Sequence, residues 1–96
     1  MSRTLVVSIA LVLALGAGAL AVPSKEKVAM AKDAKVELSD AVTKATAKSP
    51  GRAIEVELGK KNGKVVWEVE VLANDKVNEV DIDAKTGDVV DTEPKK

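Results

Sequence analysis

The chain has no cysteine, histidine, tyrosine or phenylalanine, and Trp67 is its only aromatic residue. Without cysteine there is neither a disulfide staple nor an attachment point for a lipid anchor, so stability rests on local consistency, a partner or self-association. Without histidine, cysteine and tyrosine, the usual nucleophile–base pairs cannot be assembled. Ser24, Ser39 and Ser49 read better as lead-in, cap and helix-end residues than as nucleophiles. No glycine-rich loop follows a strand and opens a helix, so phosphate cradling is unsupported. An enzyme is not expected, nor a cofactor. Charge of one sign is lacking too: 15 basic residues stand against 15 acidic ones. A basic nucleic-acid binder or polybasic membrane peptide is therefore not supported.

A long apolar run occurs once, at the start. Arg3 precedes Leu5 to Leu20, and Ala19-Leu20-Ala21 supplies the small-x-small pattern of a signal peptidase site. Residues 1–21 are predicted to be a signal peptide cleaved before Val22, giving a secreted or periplasmic protein that meets the membrane only before cleavage. The alternative is an uncleaved N-terminal anchor, for which the run sits at the short edge of what spans a bilayer. Of the basic residues only Arg3 falls in this segment, so the remainder carries one more acid than base. About 75 residues remain, enough for one small domain.

Residues 22–35 are rich in Ala, Lys and Glu and predict a helical or disordered lead-in with little to bury. Next, Ser39 is placed to cap a helix, with Asp40 against its positive end. Leu38, Ala41, Val42 and Ala45 make its apolar stripe, and Pro50-Gly51 ends it. Strands follow at about Ala53 to Leu58, Val65 to Leu72 and Val77 to Asp83, with a short one at Asp88 to Asp91. They are separated by Asn62-Gly63, Asn74-Asp75-Lys76 and the Ala84 to Gly87 turn. Residues 92–96 predict a flexible tail.

Period-two alternation puts Ile54, Val56, Leu58, Trp67, Val69, Val71, Val80 and Ile82 on one face. Glu55, Glu57, Glu68, Glu70, Glu79, Asp81 and Asp83 fall on the other. The expected fold class is α+β: one helix packed on one face of a three- to four-stranded antiparallel sheet. Trp67, on the covered face, anchors the core in this reading. Lys60, Lys61 and Lys64 lie at the hairpin end, away from most of the acidic face. That face admits three readings: a docking surface for a basic partner through Glu55, Glu57, Glu68, Glu70 and Glu79; a calcium site, for which Asp81, Asp83 and Asp88 are the weak candidates; or a solvated face that keeps the domain soluble.

Helix-ending Lys48-Ser49-Pro50-Gly51-Arg52-Ala53, strand Ile54-Glu55-Val56-Glu57-Leu58, the Asn-Gly turn and Val66-Trp67-Glu68-Val69-Glu70-Val71 are followed by Val80-Asp81-Ile82-Asp83-Ala84-Lys85-Thr86-Gly87. In this order and spacing, over roughly residues 36–91, they resemble the PepSY domain. That domain occurs in propeptides of thermolysin-like metallopeptidases and in small bacterial envelope proteins. Trp67 stands where tyrosine or phenylalanine is usual. The resemblance implies an exported, non-catalytic module that binds a protein partner and inhibits or modulates a peptidase. The alternative is a structural or cation-binding envelope protein working through its acidic face.

Overall fold

The structure, a computed structural model, describes residues 24–95; the expected signal peptide and its cleavage site before Val22 lie outside the described residues. Among these residues two helices, α1 (Lys25–Asp33) and α2 (Leu38–Lys48), precede four strands: β1 (Arg52–Lys61), β2 (Lys64–Ala73), β3 (Lys76–Asp83) and β4 (Val89–Lys95). The strands form one antiparallel meander in the order β1-β2-β3-β4. An α+β fold with a helix on one sheet face is what the alternation predicts.

The turns set the register. Asn62 and Gly63 take φ of 51° and 80°, and Asn74 and Asp75 take 51° and 63°. Positive φ at both central residues matches the twist of the flanking strands, and Asn, Asp and Gly tolerate it at least cost. At the third reversal Gly87, φ 86°, donates its N–H to Asp83 O at 2.8 Å. Asp83 Oδ1 accepts from Lys85 N at 2.8 Å and Thr86 N at 3.2 Å, closing the turn from within.

The main core lies between α2 and the sheet. Ala41 and Ala45 are fully buried against Val69, Val71, Val80 and Ile82, with Val36, Ala53, Val56 and Trp67 packed at the margin. Small helix residues let α2 approach the sheet closely, so the β-branched strand residues supply most of the buried area. A smaller cluster joins Met30 of α1 to Leu58, Val65 and Ala84, with Trp67 bordering both clusters. Trp67 Nε1 donates to Val36 O at 2.9 Å, which satisfies the indole where it is half-buried. The linker between the helices is latched as well: Lys35 N and Val36 N both donate to Ala84 O at 2.8 Å.

Several sequence expectations are corrected. The lead-in takes the helical of its two alternatives as α1, capped by Ser24 Oγ accepting from Lys27 N at 3.1 Å, but it has more to bury than expected, since Met30 enters the core. Helix α2 starts before Ser39: Glu37 is its N-cap, and no side chain caps it. Leu38 of the predicted stripe is exposed. Ile54 is exposed rather than inward, because a bulge shifts the β1–β2 register from Ala53↔Val71 to Glu55↔Glu70 and Ala53 takes the core position. Residues 92–95 are not a loose tail but the rest of β4, paired as far as Val77↔Lys95. Pro94 is tolerated because β4 is an edge strand.

Candidate functional site on the outer sheet face

The face turned away from α2 carries the acidic residues, and its geometry is not that of a uniform negative surface. Lys61, at the end of β1, reaches across β2 into the middle of it. Its Nζ lies 2.7 Å from Asp81 Oδ2, 3.3 Å from Asp91 Oδ2, 3.2 Å from Glu93 Oε2 and 4.0 Å from Glu79 Oε2. Lys95 at the far end of β4 lies 3.1 Å from Glu70 and 3.5 Å from Glu79. Lys64 approaches Asp83 at 3.9 Å. The expectation that the hairpin lysines lie away from most of this face fails for Lys61, because the extended β4 brings Asp91 and Glu93 beside Asp81 and Glu79.

Burial on this face is deep for a solvent-facing layer. Asp81 is fully buried, and so is Val66 on the same face. Strand alternation assigns a residue to a face but does not say how far long neighbours lean over it. Asp81 Oδ2 is held by Lys61, whereas Asp81 Oδ1 is buried and has no hydrogen-bond partner among the described residues. Carboxylate oxygens of Glu68, Glu79 and Asp81 lie within 4.8 Å of one another, and those of Asp81, Asp91 and Glu93 form a second such group. Of the three aspartates that were the weak metal candidates, only Asp81 belongs to either group. Asp83 serves the turn, and Asp88 is exposed and donates its N–H to Thr86 Oγ1 at 3.2 Å.

The ionisation of these groups follows from their contacts. Lys61 is held above the ordinary lysine range, chiefly by its bond to Asp81 and then by Glu93. Glu79 is pushed up to about 7, first by the close approach of the Asp81 carboxylate, then by burial and by Asp81's charge. Burial raises Glu68, helped by the charges of Asp81 and Glu57. The N–H groups of Lys85 and Thr86 lower Asp83, and Glu70 raises Lys95.

Of the five glutamates expected to meet a partner, Glu68, Glu70 and Glu79 are half-buried, the last two against lysines. Glu55 and Glu57, on edge strand β1, are the exposed pair; among the described residues Glu57 has one ion pair, with Lys27 at 3.7 Å. The sequence reading missed Lys61, Lys95, Asp91 and Glu93. A longer fourth strand would have found them, since the register then sets Asp91 opposite Asp81 and Glu93 opposite Glu79.

Residues 35–93 match the family model described as "Peptidase propeptide and YPEB domain", PepSY. The chain belongs to the PepSY family. Neither a curated protein nor a solved structure matches it. In this PepSY domain the closing segment divides its work by alternation. Val80 and Ile82 enter the core, Asp81 receives Lys61 on the outer face, Asp83 closes the turn, and Gly87 takes the positive φ. Among the described residues no helix is long and apolar enough to cross a membrane.

Proposed function

We propose that the chain is an exported, non-catalytic binding module whose partner is a protein, with a peptidase as the leading class. The PepSY match over residues 35–93 carries this reading, because the family description itself joins the domain to peptidase propeptides. The residue inventory agrees, since a chain without histidine, cysteine or tyrosine lacks the common acid–base and nucleophilic groups. The contact surface in this reading is the outward edge of β1, with exposed Ile54, Glu55 and Glu57. Among the described residues β1 pairs with β2 alone, which leaves the backbone donors and acceptors along its other edge to an extended segment of the partner.

The test is titration of the purified chain into a thermolysin-like metallopeptidase cleaving a reporter peptide, with intact mass checking that the chain is not simply consumed. Hydrolysis should slow in a saturable way, and Glu55→Gln/Glu57→Gln should weaken the effect as added salt does. Unchanged hydrolysis up to ~100 µM chain, together with no detectable complex, would overturn the peptidase reading.

A further inference from the structure

We propose that Glu68, Glu79 and Asp81 form a binding site for a hard divalent cation of the calcium class on the outer face of the sheet. The argument begins with two carboxylate triads that share Asp81, each with its oxygens within 4.8 Å of one another. One triad, Asp81 with Asp91 and Glu93, already holds a cation: Lys61 Nζ sits 2.7, 3.3 and 3.2 Å from its three members. Among the described residues no lysine nitrogen reaches all three members of the other triad: Lys61 lies beside Asp81 and Glu79, Lys95 beside Glu79, and neither pairs with Glu68. Asp81 Oδ1, the oxygen that Lys61 does not take, is buried and without a partner among those residues.

A buried carboxylate oxygen without a donor is costly, and Glu68 and Glu79, when ionised, can only accept. A hard cation satisfies all three acceptors at once. At ordinary calcium–oxygen distances of about 2.3–2.6 Å, two ligands of one ion lie no farther apart than roughly 5 Å, which the triad meets. The strands fix the ligands: Glu68 pairs with Asp81 across β2 and β3, and Glu79 precedes Asp81 by two residues on the same face. At residue 59 the absence of a side chain leaves the space that the Glu68 carboxylate fills, since a Cβ there would lie 2.5 Å from Glu68 Oε2. Lysines border this triad on the side away from Asp81 Oδ1: Lys61 Nζ takes Asp81 Oδ2 and lies 4.0 Å from Glu79 Oε2, and Lys95 is shared between Glu70 and Glu79.

The test is calorimetric titration with calcium chloride at about pH 8, with thermal melts in calcium, magnesium and sodium chloride at matched ionic strength. The expected result is saturable one-to-one calcium binding with Kd on the order of 10⁻⁴–10⁻³ M and a Tm raised by several degrees at saturation. Glu68→Gln and Glu79→Gln should each fold and lose the calcium response, whereas Asp91→Asn, which touches only the Lys61 triad, should keep it. Three results would overturn the proposal: no calcium effect beyond that of sodium, a calcium response that survives the double glutamine variant, or one lost in Asp91→Asn but kept in Glu68→Gln.

Discussion

Glu79→Gln offers a sharp perturbation of the outer face. Folding raises the Glu79 carboxyl from 4.5 to about 7, so between those values the folded chain binds a proton that the unfolded chain has released. Stability therefore falls as pH rises through that window, and the full cost is present above pH 7. The shift corresponds to at most about 3 kcal/mol at 1.36 kcal/mol per pH unit. The Glu79 side chain keeps 13% exposure, and solvent screening brings the expected effect to about 2 kcal/mol. Burial of Glu68 acts in the same direction. Asp83 acts in the opposite sense, but only as pH falls through and below its ordinary value of 3.8. With no histidine in the chain, no imidazole titrates in the same window. The glutamine variant gives up Lys95 at 3.5 Å and Lys61 at 4.0 Å, pairs worth a few tenths of a kcal/mol each. In exchange its amide can donate to Asp81. Urea unfolding followed by Trp67 fluorescence, in chelator-treated buffer from about pH 5 to 8, reads the effect directly. Wild type should lose about 2 kcal/mol across that range, and Glu79→Gln should be the more stable protein at the upper end with a flattened profile. A wild-type profile that is flat or rises with pH, or a variant that keeps the full slope, would refute the reasoning.

Trp67→Ala should cost about 3 kcal/mol by opening the margin of both clusters, and Trp67→Phe about 1 kcal/mol, chiefly for the lost bond to Val36 O. Wild-type Trp67 emission already at the wavelength of a fully hydrated indole would contradict both. Met30→Ala should cost about 2 kcal/mol and raise amide exchange in α1 well above that in α2, because Met30 is the only buried residue of α1. Equal protection of the two helices in that variant would show that α1 is held by something else. Ile54→Thr should leave the urea midpoint within about 0.5 kcal/mol of wild type, since Ile54 is 49% exposed. A cost near that of a core truncation would mean that Ile54, and not Ala53, carries the contact.

Alternation and turn chemistry made most of the sheet legible. Asn62-Gly63 and the Ala84 to Gly87 turn locate their own reversals, and the apolar set from Trp67 to Ile82 lies on the α2 side as the period requires. Ile54 escaped because a bulge adds a residue without any compositional mark, and an isoleucine looks more like a core residue than the alanine before it. Pro94 argued against a strand, yet an edge strand needs no donor there. Ser39 is a good cap residue that the chain does not use: Glu37 has already turned out of the helix two positions earlier. Met30 is one apolar side chain among alanines, too thin a stripe for periodicity to detect. The outer face was legible as acidic but not as organised. The burial of Asp81 depends on the reach of Lys61, a long-range contact between residues on opposite sides of β2.

The chain order of this meander also fixes a timetable. Ala41 and Ala45 are made before any of the strand residues that bury them, and Val80 and Ile82 come some 35 to 40 positions later. While the chain emerges from its N-terminus, the β1–β2 hairpin can close on its own through Asn62-Gly63 within microseconds. Helix α2 has no complete floor until β3 has followed. The last strand then brings Asp91 and Glu93 to Lys61, so the charge lattice can be locked only after the hydrophobic layer has closed beneath it. A nascent chain cut before Val80 would offer α2 only Val69 and Val71 of its four-residue floor, and completion of β3 is the step at which this protein acquires a closed inside.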